Sequence, residues 1–256
     1  MSTLENLVLE LPEVLPAEKA EKVSTEGLAP APKNRFAGLI LESETAANLG
    51  NPEVPTARYL LYSNTPMPQG DMVRLIGPRL EELGREVVPF AEVAVLHGEK
   101  VTAEIYYQFI QRHQRLLDQP GFMVKTMKDR IMVRVSPEAR EKGFGQASAT
   151  FLARVHEAFP EVEGIDLWWV TGNEDTVKRL GELADKAADT VTAIKSGVWK
   201  DRGFDYKSCQ LAGHCGQCAD KKMCSSVRQI EAKVRMKRRL DAKKAAGPSG
   251  AAAEAR

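Results

Sequence analysis

All four cysteines of this 256-residue chain fall in one stretch, Cys209-Gln-Leu-Ala-Gly-His-Cys215-Gly-Gln-Cys218-Ala-Asp-Lys-Lys-Met-Cys224. That confinement limits what the chain can fold into more than any other feature. Cysteines that merely fill a hydrophobic core are scattered along a sequence, and these are not. Disulfides fit poorly, because the loops between the thiols are very tight and the N-terminus has no secretion signal. Four thiolates this close, in a chain that reads as cytosolic, point to a metal centre. The rest of the chain must then build its core from ordinary apolar side chains.

Zinc and an iron–sulfur cluster are the two candidates for that centre. Structural zinc usually takes two Cys-x-x-Cys pairs, or one such pair with a His pair, a dozen or more residues apart. Here a single Cys-x-x-Cys pair, Cys215 and Cys218, is flanked five residues out by Cys209 on one side and Cys224 on the other. Little chain is left for the two knuckles of a zinc ribbon. A 4Fe-4S cubane has four iron corners and is readily wrapped by one loop. Gly213 and Gly216, on either side of His214-Cys215, would let backbone N–H groups approach the sulfides. The spacing favours a 4Fe-4S cluster held by Cys209, Cys215, Cys218 and Cys224, with zinc or a redox-labile thiol cluster as the alternatives. His214 reads as a neighbour of the centre rather than a ligand.

Charge and hydropathy exclude little else. Lys and Arg number 36 against 35 Asp and Glu, so net charge argues for neither nucleic acid nor membrane. No apolar run reaches the roughly 20 residues needed to cross a bilayer. The acidic N-terminus lacks the charged and apolar regions of an export signal, so a cytoplasmic location is expected. An oxygen-sensitive cluster would suit an anaerobic setting.

Residues 1–35 are rich in proline, including Pro12, Pro16, Pro30 and Pro32, and read as an extended arm or linker. Ala17 to Lys22 is compatible with helix, and Phe36 to Leu41 with a first strand. From Arg58 onward, strand-like and helix-like segments alternate. Strands are expected at Tyr59–Tyr62, Met72–Ile76, Val87–Leu96, Arg130–Val135 and Gly164–Thr171. Pro89 suggests that the third of these lies at an edge or carries a bulge. Thr102 caps a helix with apolar residues at Ile105, Phe109, Leu116 and Leu117. Ser136-Pro137-Glu138 is a helix start, with a second helix over Gln146–Phe159. Asn173 opens a long helix reaching about Lys195, its stripe formed by Val177, Leu180, Leu183, Ala184, Ala187 and Val191. A loop over Ser196–Tyr206 then leads to the cysteines. Beyond Cys224 a last helix carries Val227, Ile230 and Val234 on one face. Basic residues (Arg228, Lys233, Arg235, Lys237, Arg238, Arg239, Lys243 and Lys244) cover the others. The tail from 246 to 256 reads as disordered.

The order of these segments resembles a known family. The stretch from about Phe36 to Tyr206 is similar to the middle domain of the acetyl-CoA synthase (beta) subunit of the carbon monoxide dehydrogenase/acetyl-CoA synthase complex. Val73-Arg-Leu-Ile-Gly-Pro-Arg-Leu80 resembles that family's strand ending in Ile-Gly-Pro. Ile131-Met-Val-Arg-Val-Ser-Pro-Glu-Ala-Arg-Glu-Lys-Gly-Phe144 resembles its Ile-Arg-Ile-Ser-Lys-Glu-Ala-Phe-Glu-Lys-Gly-Phe segment. Asp205-Tyr-Lys-Ser-Cys209 falls where the family has the Tyr-Ser-Cys that begins its cluster-binding cysteines, which implies cluster ligation by Cys209. The family's Cys-Gly-Cys nickel site has no counterpart, because Cys215-Gly-Gln-Cys218 stands instead. The resemblance therefore implies a shared domain and a cluster, not acetyl-CoA synthesis by this chain alone.

The remaining candidates have plain explanations beside their functional ones. Arg134 and Arg140, near a strand end and the following helix, could meet a CoA-type anion, although charged side chains are mostly surface residues. His97, His113 and His156 share no motif and read as ordinary partly buried or surface histidines. Trp168-Trp169 sends one indole to each face of a strand, so packing explains at least one. The basic last helix would attract an acidic protein partner, and without interleaved aromatic residues it is a weak signal for nucleic acid.

The sequence thus predicts an α/β (α+β) domain with a mixed sheet and flanking helices over residues 36–200. An iron–sulfur module with the basic helix would follow over 201–245. Its expected role is electron transfer or docking, as a subunit or accessory protein of an anaerobic enzyme complex. A structural-zinc interaction protein and a small enzyme with an open cluster iron are the rivals.

Overall fold

The computed structural model describes residues 3–16, 20–28, 47–51, 53–67, 69–116, 122–127 and 130–201, with 232, 236–237 and 240–241 near the C-terminus. The chain divides into two units, Met1–Val191 and Thr192–Arg256.

The first unit is a mixed α/β structure built on two mixed sheets. In chain order its elements are α1 (Thr3–Val14), β1 (Ala20–Lys22), β2 (Ala47–Leu49), β3 (Thr56–Ser63), β4 (Met72–Ile76), β5 (Val87–Val88), β6 (Phe90–His97), α2 (Ala103–Leu116), β7 (Phe122–Met127), β8 (Arg130–Val135), α3 (Pro137–Glu141), α4 (Gly143–Ala158), β9 (Gly164–Thr171) and the part of α5 (Glu174–Asp201) up to Val191. A 3-10 turn at Leu80–Glu82 follows β4. Five strands form one sheet in the order β1-β4-β9-β6-β3, and four form the other in the order β5-β2-β8-β7. Within the first, β4 with β9 and β3 with β6 run parallel, while β6 and β9 are antiparallel.

Strand β6 lies between β9 and β3 in the larger sheet, and its residues Phe90 to Leu96 are all buried. A strand covered on both faces reads as a continuous apolar run, which is why Ala, Val and Leu follow one another here. Pro89 does not lie within one long strand: β5 before it is an edge strand of the smaller sheet, and β6 after it lies inside the larger. The proline splits the run in two, so that Val87–Val88 pairs with β2 in the smaller sheet and Phe90–His97 joins the larger. Lacking an N–H, proline is tolerated where the ladder breaks. The chain changes sheets at that residue.

Alternation along β9 sends Ile165, Leu167 and Trp169 to one face and Asp166 and Trp168 to the other. On the first face Trp169 is met edge-on by Phe90 at 5.8 Å, Phe122 of β7 at 5.0 Å and Phe144 of α4 at 5.3 Å. Tyr62 of the same face packs on Tyr106 of α2 at 5.0 Å. This face therefore carries α2, α4 and the smaller sheet. The opposite face carries α1, whose Leu4, Leu7 and Leu11 are buried, as is Leu15 just after it.

Helix α1 corrects the expectation of an extended arm. Its leucines recur at helical spacing, and Pro12 lies inside the helix, two residues before its end. Lys186 of α5 pairs with Glu10 at 2.9 Å, and the Arg179 guanidinium donates to the Glu13 carbonyl at 2.9 Å, joining the two helices. Ala20–Lys22, read as helix-compatible, is instead a strand paired with β4. Helix α5 continues through Ser196 and Gly197 to Asp201, where a loop was expected.

Three expected helix starts are present with their caps. Ser136 Oγ accepts from Ala139 N at 3.1 Å, Thr102 Oγ1 from Ile105 N at 3.3 Å, and Asn173 Oδ1 from Thr176 N at 3.1 Å. Each cap satisfies one of the N–H groups a helix start leaves unpaired, for about 1 kcal/mol. Residues Phe36–Leu41, expected as a strand, lie outside the described residues.

Candidate metal centre and the charged clusters of the sheet

Cys209, Cys215, Cys218 and Cys224 all lie outside the described residues, as do His214 and the 246–256 tail. Of the basic helix, residues 232, 236–237 and 240–241 are described and helical, with Met236 and Leu240 exposed. Among the described residues no group of three or more His, Cys, Asp or Glu is placed to hold a metal ion. Among them, too, no helix is long and apolar enough to cross a membrane. The case for a metal centre therefore rests on the donor set. Four soft thiolates close together in the sequence suit iron–sulfur or zinc and suit harder cations poorly.

Two segments that carry the family resemblance have clear structural work here. Gly77 of the Ile76-Gly77-Pro78 turn has φ +96°, and a Cβ on it would come within 1.9 Å of the Thr171 carbonyl oxygen. Only glycine lets β4 leave the sheet that close to the end of β9. Thr171 Oγ1 in turn donates to the Pro78 carbonyl. Gly143 has φ +78°, a value that favours glycine, at the junction of α3 and α4, and Phe144 beside it drops onto Trp169. Gly77 is required by the close approach of β4 to β9, and Gly143 by the backbone turn between α3 and α4.

The arginines expected near a CoA-type anion are differently placed. Arg140 Nη1 donates to the Leu83 carbonyl at 2.7 Å, which ties α3 to the end of the 3-10 turn. Arg134 lies on β8 opposite Asn48 of β2, on the face away from the buried Val133 and Val135. A cleft of about 920 Å³ does open beside α3 and α4, lined among others by Lys22, Val73, Arg79, Glu82, Lys142 and Phe144. Its cationic and acidic side chains are interspersed, and two of the cations already face acids, Arg79 with Glu81 and Lys142 with Glu138.

Three charged clusters were not visible in the sequence, because their partners lie far apart along it. Arg58 Nη2 donates to Glu92 Oε1 at 2.9 Å across β3 and β6, with both side chains buried. Arg74 Nη1 donates to Asp166 Oδ1, while Asp166 Oδ2 lies 3.1 Å from His97 Nε2. The Arg74 guanidinium also lies over the Trp168 ring at 5.0 Å, a cation–π contact that half-buries that indole. The third cluster pairs Asp71 with His156. Burial, and secondarily the nearby Glu10 charge, pushes the Tyr59 phenol far above its usual range. Burial does the same to Tyr106, whose hydroxyl donates to the Leu60 carbonyl at 2.7 Å.

The Asp166 cluster is arranged as support rather than as a nucleophilic site. Ser63 stands beside His97 in the parallel register of β3 and β6, a Ser, His, Asp row across three strands. Its Oγ, however, accepts from Thr65 N at 3.2 Å and caps the turn that follows β3. Both Asp166 oxygens are engaged, one by an arginine and one by the histidine, so the carboxylate is neutralised where it enters the sheet. No family model matches the chain, and no curated protein matches it.

Proposed function

We propose that this chain is a 4Fe-4S iron–sulfur subunit or accessory protein of an anaerobic, cytoplasmic enzyme complex of the carbon monoxide dehydrogenase/acetyl-CoA synthase kind. The observation that carries the reading is the confinement of all four cysteines to residues 209–224. Cys209, Cys215, Cys218 and Cys224 hold the cluster, which supplies one-electron transfer. The α/β domain is the platform that docks on the rest of the complex. The basic residues after Cys224 favour an acidic protein partner and raise the reduction potential of a nearby cluster. With every cysteine engaged by one cubane, none remains to bridge to nickel, so the chain by itself transfers no acetyl group.

Anaerobic purification from iron-replete cells tests this. The expected protein is brown, carries one cubane's iron and sulfide per chain, and bleaches with dithionite. Colourless protein with one zinc per chain would replace the cluster with a structural metal. Affinity purification from the native cell at low and at high salt tests the docking role. Recovery in a complex that dissociates at high salt supports it, since contacts made by exposed charges are screened. Recovery as a lone monomer at low salt, or nickel-dependent acetyl transfer by the isolated chain, overturns it.

A further inference from the structure

His156 lies in the last turn of α4, between two acceptors. Its Nδ1 is 3.0 Å from the Val162 carbonyl oxygen. Its Nε2 is 2.9 Å from both Oδ1 and Oδ2 of Asp71, just before β4. A carbonyl and a carboxylate can only accept, so satisfying both requires a proton on each ring nitrogen. The neutral ring has one N–H and must abandon one partner.

Asp71 does a second job. Its Oδ1 also accepts from the Ile165 N–H at 3.1 Å, in the first turn-to-strand step of β9. The segment from Phe159 to Gly164 is therefore fastened at Val162 and, through Asp71, at Ile165. On its other side Glu163 N donates to the His97 carbonyl at 2.8 Å. Space there is tight: a Cβ on Gly98 would come within 2.4 Å of the Glu161 carbonyl oxygen.

We propose that His156 and Asp71 form a proton-operated latch on the turn that leads into β9, closed while His156 is an imidazolium and released as pH rises. From the segment before β4, Asp71 is the charged group acting on His156; from the turn, the Val162 carbonyl dipole acts with it. On α4 itself the residues three and four positions back, Ala153 and Leu152, are apolar. The Asp71 hydrogen bond holds the histidine above its ordinary value against the opposing effect of burial, with the Asp71 charge and the Val162 carbonyl adding to the rise. A raised folded value means the latch contributes fully below the ordinary histidine value and is lost as pH climbs through the raised one. The release frees the start of β9, where Asp166 joins Arg74 and His97. Every residue of the latch belongs to the first unit.

Nitrogen-15 NMR of the imidazoles in the full chain, with amide exchange at Ile165 and Glu163, tests the latch. Both His156 nitrogens should be protonated at slightly acid pH, with a midpoint above that of histidine in the unfolded chain. Ile165 protection, corrected for the intrinsic pH dependence of exchange, should fall at least several-fold across that midpoint. Asp71→Asn keeps an oxygen for the Ile165 N–H but loses the charge, and should lower the midpoint by about one pH unit or more. His97→Gln should leave the midpoint nearly unmoved. The wild-type titration decides the matter even if a variant fails to fold. A singly protonated His156 at slightly acid pH, or Ile165 protection that is flat across its titration, overturns the proposal.

Discussion

Two regions of this molecule offer different side chains to build with. In β6 every residue from Phe90 to Leu96 is buried, and Trp169 nearby is enclosed by three aromatic rings. From Arg202 to Cys224, by contrast, the large apolar residues are Phe204, Tyr206, Leu211 and Met223, set among glycines, charges and four thiols. The first region has apolar area enough to fold by burial, at about 25 cal/mol per Å² removed from water. The second offers few such side chains, and on the proposed reading a metal held by its thiols would supply its order. Structure that comes from packing tolerates loss of a metal, whereas structure that comes from ligands does not.

The sharpest way to break that contrast is to remove the ligands. Replacing Cys215 and Cys218 by Ser should abolish bound metal altogether while the far-UV circular dichroism of the sheets and helices changes little. Cooperative loss of the whole dichroism signal in that variant would mean that the cysteine segment is integral to the domain core.

The converse experiment attacks the packing. Trp169 is 1% exposed and touches Phe90, Phe122 and Phe144, so Trp169→Ala opens a cavity between the two sheets. A loss of about 4 kcal/mol is expected, within the range for large aromatic truncations. It should appear as a lower urea midpoint by circular dichroism, with metal content per folded chain unchanged. A loss under about 1 kcal/mol would show that the sheets do not share this core.

What could be seen in the sequence divides along the same physical line. The caps at Ser136, Thr102 and Asn173 were legible because a cap is a local bond, made three residues along the chain. Pro89 was legible as a disruption but not as a change of sheet, since its meaning depends on β2, which pairs from forty residues upstream. Helix α1 was obscured by neighbouring prolines, although Leu4, Leu7, Leu11 and Leu15 give its period plainly. Strand β7 carries the alternation Phe122, Val124 and Thr126, too short a signal between its neighbours to stand out in the sequence. The charged clusters were out of reach, because Arg74 and Asp166 are 92 residues apart and Asp71 and His156 are 85 apart. Nothing in a lone Asp or His announces a partner at that distance.

Within the packed region, the buried ion pair offers a smaller but still large effect. Arg58 and Glu92 are 8% and 4% exposed, so Glu92→Ala leaves a guanidinium in a dry interior. A cost of about 3 kcal/mol is expected, because the uncompensated charge is harder to accommodate than the pair itself. Replacing both residues by apolar side chains of similar volume should recover most of that loss. Chemical denaturation of the single and double variants checks both. A double variant as unstable as the single one would show that the ion pair, and not the desolvated arginine, carries the energy.

The smallest effect is expected at an exposed ion pair between distant segments, Lys186 with Glu10. Its distance, 2.9 Å, equals that of the buried pair, but its side chains are 59% and 41% exposed. Water screens the attraction, and holding two long side chains in one geometry costs rotamer entropy. Lys186→Ala should therefore change stability by less than about 1 kcal/mol, and less again in high salt. Helix α1 stays docked because Leu4, Leu7, Leu11 and Leu15 hold it, not because of this contact. Denaturation midpoints at low and high salt, read beside those of Leu11→Ala, check the assignment. The leucine truncation is expected to cost about 2–5 kcal/mol at either salt concentration. If the lysine variant lost as much as the leucine one, the attachment of α1 would be electrostatic, and the packed region would extend less far toward the N-terminus than its buried leucines indicate.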